Sequence, residues 1–131
     1  MSPKKTHEFL TEVELEFMSL LWTLGEATVR DVLDQLAPKR KLAYTSAATI
    51  LRILDEKGFV EHEKRGKSLT YRAVLSKNAY QSRSLKDLSV KLFDDVPASL
   101  VARLVDAGGL SEEALAEIRA MVDRRLDDDQ S

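Results

Sequence analysis

Tyr-Thr-Ser-Ala-Ala-Thr-Ile-Leu-Arg-Ile-Leu-Asp-Glu-Lys-Gly, residues 44 to 58, is the stretch on which the fold turns. Ala47, Ile50, Leu51 and Leu54 recur at the spacing that draws one apolar stripe along a helix. Thr45, Thr49, Arg52 and Glu56 fall together on the opposite face, flanked by Ser46 and Ala48. Gly58 supplies a left-handed residue to end the helix, with Lys57 in its last turn. The outer face of the first two turns is therefore small and hydroxyl-bearing. Such a helix fits a DNA major groove about 12 Å wide, where hydroxyls reach base edges and Ala or Thr methyls touch thymine methyls. The same pattern also describes an ordinary amphipathic helix with a solvated face, so the flanking residues must decide.

Beyond Gly58 the period changes. Phe59 to Glu63 is short and mixed, Lys64-Arg65-Gly66-Lys67 is a polar turn, and Ser68 to Ala73 alternates. Leu69, Tyr71 and Ala73 share one face of that second strand. These are the marks of a hairpin with a basic tip carrying Lys64, Arg65 and Lys67. Upstream, Thr11 and Glu14 form a capping-box pattern ahead of Val13, Phe17, Leu20, Leu21 and Leu24, and Gly25 closes that first helix. Trp22 reads as a large core or interface residue. Thr28 then precedes a short stripe of Val29, Val32, Leu33 and Leu36, ended by Pro38. Lys39-Arg40-Lys41 leads into the central helix and reads as a phosphate clamp beside a groove-bound helix.

Three helices followed by a basic hairpin make a winged helix-turn-helix, whose third helix enters the major groove while the hairpin reaches the flanking backbone. Charge agrees with order. Over the whole 131 residues the formal net charge is only −2, yet Lys39 to Arg72 holds nine bases against four acids. From Ala73 onward, eight bases face eleven acids. A basic segment joined to an acidic one points to a nucleic-acid-binding part and a part with another task.

The acidic part reads as helices. The segment from Asn78 to about Asp95 carries Leu85, Leu88 and Leu92. Pro97 opens a further helix with Leu100, Val101, Leu104 and Val105, stopped at Gly108-Gly109. Ser111 caps the last helix, whose stripe is Leu115, Ile118, Met121, Val122 and Leu126. Helices this short do not bury such stripes against one another alone, so a dimer interface is expected. The expected organisation is an arm over 1–10, a winged helix over 11–75, a dimerisation region over 76–126 and an acidic tail over 127–131. The fold class is mainly α.

Other functions find little support. The chain has no cysteine, which removes disulfides, thiolate metal sites and cysteine nucleophiles. No apolar run approaches the ~18 residues of a membrane span, and no signal peptide opens the sequence. The chain reads as cytosolic. His7 falls in the arm and His62 on a wing strand, where surface or phosphate contact is the expected role. With no metal-ligand spacing, phosphate loop or nucleophile constellation, an enzyme is not expected, nor is any cofactor or metal.

The residues quoted above also carry a resemblance. Glu14-Leu15-Glu16-Phe17-Met18 through Leu21-Trp22, Ala43-Tyr44-Thr45-Ser46 with Thr49 and Leu51, and Leu54 through Lys57-Gly58-Phe59-Val60 resemble the BlaI/MecI family of penicillinase and methicillin-resistance repressors. Thr70-Tyr71-Arg72 and Leu110-Ser111 with Leu115-Ala116-Glu117-Ile118 extend the likeness over nearly the whole chain. The resemblance implies a homodimeric winged-helix repressor on a palindromic, double-stranded operator. It places Thr45, Ser46 and Thr49 in the groove-facing turns with Arg52 beside them, and Arg65 and Lys67 on the wing. It also implies a regulatory membrane protease as a partner: the resistance repressors are cut in the helix matching Pro97 to Ala107. Their Asn-Phe bond corresponds here to Arg103-Leu104. The related copper-responsive CopY repressors need cysteine pairs that this chain lacks, so copper sensing is not expected.

Two functions from different classes follow. The first is an operator-specific repressor. The second is a winged helix whose third helix meets a protein and reads no bases. The basic loop and wing favour the first, since a protein-binding face would more often be apolar.

Overall fold

The computed structural model describes residues 9–36 and 40–130. Most of the arm over 1–10, together with His7, Pro38 and Lys39, lies outside the described residues. The elements run α1 (Glu12–Leu24), β1 (Glu26–Thr28), α2 (Val29–Leu36), α3 (Tyr44–Glu56), β2 (Val60–Arg65) and β3 (Ser68–Ala73). Three helices follow: α4 (Lys77–Leu92), α5 (Pro97–Ala107) and α6 (Glu112–Gln130). Packing divides the chain into two compact units, residues 1–85 and 86–131, so the division falls inside α4.

The first unit is a winged helix. Its start is fixed by the capping box: Thr11 Oγ1 accepts the Glu14 N–H at 3.2 Å and Glu14 Oε1 accepts the Thr11 N–H at 2.9 Å. A second box of the same kind opens α2, between Thr28 and Asp31. Phe17, Met18 and Leu21 of α1, Val32 of α2 and Ala47, Leu51 and Leu54 of α3 meet in a core from which solvent is excluded. Each large apolar side chain so buried contributes about 1.5–3 kcal/mol. Ile50, at the margin of the α3 stripe, is only partly buried.

The end of α3 joins helix to wing. Gly58, at φ 88°, donates to Asp55 O, and the Phe59 N–H reaches back to Leu54 O at 3.0 Å, a Schellman ending with Phe59 against Leu54. The wing follows as expected, β2 pairing antiparallel with β3 about the Gly66-Lys67 turn. The sheet has a third strand that sequence reading misses. The three residues of β1 pair with β3, giving the order β1-β3-β2. Along β3, Tyr71 is buried, Ala73 is half-buried and Leu69 is 39% exposed, because it lies past the edge of the core. The first turns of α4 also pack here. Tyr80 lies tilted against Trp22 at 6.0 Å and edge-on to Phe59 at 6.2 Å, and its hydroxyl accepts the Leu10 N–H. Trp22 itself donates Nε1–H to Leu75 O at 2.9 Å, confirming it as a packing residue.

One buried charge underlies this core. The Glu14 carboxylate, 6% exposed, meets Lys57 Nζ of α3 at 2.9 Å. Burial pushes its pKa up, but hydrogen bonds from Lys57 and the Thr11 backbone and the charge of Lys57 together hold it below the ordinary 4.5. A depressed carboxylate stabilises the fold above its unfolded value, and that contribution is lost as pH falls through the folded value. Stability should therefore be level from neutrality down to about 4.5 and fall below it. Denaturant melts at stepped pH should show Glu14→Gln with a shallower acid loss than the wild type. Equal slopes would mean that Glu14 does not set the acid limb.

The second unit is different in kind. Neither α5 nor α6 buries a single side chain, although together they carry Val101, Leu104, Val105, Met121, Val122 and Leu126, each at least 40% exposed. Leu100, Leu115 and Ile118 are half-buried. Among the described residues, no helix is long and apolar enough to cross a membrane.

Candidate nucleic-acid interface

α3 presents the face that its sequence dictates. Thr45, Ser46, Thr49 and Arg52 are all exposed, opposite the buried stripe of Ala47, Leu51 and Leu54. Thr49 is exposed, and its Oγ1 donates to Thr45 O at 2.9 Å. Ala43 stands at the N-cap and offers no side-chain acceptor, so the first N–H groups of α3 remain open beside Thr45 and Ser46. Arg52 leans along the helix onto Glu56 at 2.7 Å. Between α3 and the wing runs a cleft of about 530 Å³, lined by Thr49, Arg52, His62, Leu69 and Tyr71. His62 spans it, its Nδ1 against the Asp55 carboxylate and its ring tilted toward Tyr71 at 5.8 Å, so it ties the wing to α3. Burial, then the Asp55 charge, pushes the Tyr71 hydroxyl up, keeping it a donor.

The bases read from sequence divide into two groups. Lys64 and Lys67 project from the wing, exposed. Arg65, also on the wing, is held by both oxygens of Glu26 at 2.7 and 3.2 Å and by Glu63 at 3.2 Å, which raises its pKa and lowers that of Glu26. Arg72 meets Glu61 at 2.6 Å. In the connection before α3, Arg40 is gripped by both oxygens of Glu16 on α1, at 2.8 and 3.1 Å. Lys39, the first base of that cluster, lies outside the described residues. Lys41 is exposed. Sequence reasoning passes over Arg30 of α2, whose guanidinium lies over the Tyr44 ring at 5.5 Å from the centroid. Among the described residues, no cluster of acids and histidines has the arrangement of a metal site.

The second candidate surface is apolar. On α4, Leu85 is 54%, Leu88 36% and Leu92 69% exposed, the first belonging to the winged-helix unit and the others to the second unit. Leu104 and Val122 are each 52% exposed, with Leu100, Leu115 and Ile118 half-buried between such positions. Arg103 and Leu104 sit in the middle of α5, both exposed.

Comparison with known proteins agrees with the fold. The sequence model of the penicillinase repressor family matches residues 10–124. An uncharacterized 16.5 kDa protein of Latilactobacillus sakei is 28% identical over 91% of this chain and 81% of its own length. The methicillin resistance regulatory protein MecI of Staphylococcus aureus is 22% identical over 92% of this chain and 98% of its own. The solution structure of the DNA-binding domain of the repressor BlaI superposes with a TM-score of 0.52 at 24% identity, covering 58% of this chain and 93% of that one.

Proposed function

The chain belongs to the penicillinase repressor (BlaI/MecI) family, and from that premise we propose a homodimeric repressor on a palindromic operator. α3 lies in the major groove and reads bases through Thr45, Ser46, Thr49 and Arg52. Lys39, Lys64 and Lys67 meet phosphates. Arg40 and Arg65 meet them by exchanging a carboxylate partner for a phosphate oxygen, one charge-assisted acceptor for another. The winged helix is the DNA-binding part, and the helices from α4 to α6 pair two copies through Leu85, Leu88, Leu92, Leu100, Leu104, Leu115, Ile118 and Val122. The Arg103-Leu104 bond, on the exposed middle of α5, is the candidate for cleavage by a regulatory membrane protease.

The observation that carries the base-reading claim is the separation of faces on α3. Ala47, Leu51 and Leu54 are fully buried while Thr45 and Thr49 are exposed, so the reading face can change without touching the core. Thr49→Ala should relax preference at one base pair per half-site, by about 1–3 kcal/mol of discrimination, with little change in melting temperature. Binding to operators substituted one base pair at a time, beside a melting curve, tests this. An unchanged preference profile would remove Thr49 from the reading face. A loss spread evenly over specific and random DNA would mark Thr49 as a backbone contact instead.

A further inference from the structure

Five arginines lie on α3 or around it, on the loop, α2 and the wing, and four of them are held by carboxylates. Arg40 is held by Glu16, Arg52 by Glu56, Arg65 by Glu26 and Glu63, and Arg72 by Glu61. Each must shed or share an anion before it can serve a phosphate. Arg30 differs. It stands exposed in the first turn of α2, and its partner is the uncharged ring of Tyr44, at 5.5 Å. Tyr44 is itself 51% exposed at the leading end of α3. The ring carries no charge, so it flanks the guanidinium without neutralising it. The adjacent acid, Asp31, accepts the Thr28 N–H at 3.0 Å, while Asp34, one turn on, lines the same recess as Arg30. Exposed Lys41 shares with Arg30 the recess between α2 and the connection into α3.

We propose that Arg30, positioned by the Tyr44 ring, is a preset phosphate contact at the elbow between α2 and α3. This rests on the reading of α3 as a groove-bound helix, and adds to it a backbone contact that composition does not reveal. The guanidinium approaches DNA already oriented and fully charged, so docking replaces only water. Arg30 is the contacting residue, while Tyr44 acts through it and is a positioning residue.

The test is a salt titration of full-length protein on a random-sequence duplex, for wild type, Arg30→Ala, Tyr44→Ala, Tyr44→Phe and the Arg30→Ala/Tyr44→Ala double variant. Arg30→Ala should weaken binding and reduce the slope of log K against log salt by about 0.9 per lost contact. Tyr44→Ala should lower the slope in the same direction although it removes no charge, a result that a net-charge effect does not produce. Tyr44→Phe keeps the ring and should match wild type. The double variant should be no weaker than Arg30→Ala alone. If wild type shows a steep slope and Arg30→Ala leaves it unchanged, Arg30 makes no phosphate contact and the proposal falls. If the double variant is weaker than Arg30→Ala, Tyr44 contacts DNA independently and its positioning role falls. A wild type whose binding is indifferent to salt would instead overturn the DNA-binding reading itself.

Discussion

Full-length protein carrying Leu104→Asp and Val122→Asp is expected to sediment as a monomer and to bind a palindromic operator about 10²–10⁴-fold more weakly than the wild type, the range by which linked modules exceed single ones. Both side chains are 52% exposed, so placing a carboxylate there disturbs no internal packing. In the proposed dimer it would oppose burial against a second copy. An 11-residue helix and a 19-residue helix with no fully buried side chain leave apolar stripes that a partner would cover. Far-UV circular dichroism should show the winged-helix unit intact, since its core excludes all of α5 and α6. Sedimentation checks the rest. A variant that remains dimeric at micromolar concentration would place the interface elsewhere.

The second large effect is expected at Phe59. Its side chain is fully buried, edge-on to Tyr80. Its backbone serves three elements at once. The N–H closes the Schellman ending of α3, and the carbonyl accepts from Val74 at 2.8 Å as the wing returns and from Leu75 at 3.4 Å. Phe59→Ala should cost about 3–5 kcal/mol, the loss of the ring plus the cavity it leaves. For a domain whose total stability is about 5–15 kcal/mol, that is roughly a fifth or more. Urea denaturation followed by circular dichroism measures it directly. A loss below 1 kcal/mol would mean that the aromatic cluster of Trp22, Phe59 and Tyr80 does not hold the wing to the helices.

Local signals made the fold legible. The α3 stripe, the Thr11/Glu14 capping box and the glycines at 25, 58 and 66 each declare themselves within a few residues, and the structure places all of them as their chemistry requires. β1 was not legible because three residues are too few to show alternation. What makes them a strand is pairing with β3, more than forty residues on. The place where packing ends was hidden for the same reason: Tyr80 belongs with Trp22 and Phe59 only after the chain has returned. The exposed face of α3, the proposed binding face, was legible because one helix decides exposure. It was less so for the bases around it. Composition counts Arg40 and Arg65 as available charges, whereas the fold brings Glu16 and Glu26 to them from 24 and 39 positions away. The same non-local logic makes Arg30 available, by setting it against Tyr44 from another helix.

The central claim is that two copies of α3 read two related half-sites. Selection of bound duplexes from a fully random library, followed by sequencing, tests it most directly. A two-fold symmetric motif should emerge, its half-sites separated by about one helical turn, 10–10.5 base pairs, or a multiple of it. Recovery of sequences with no shared motif, under salt conditions where the protein still binds, would contradict base reading by α3.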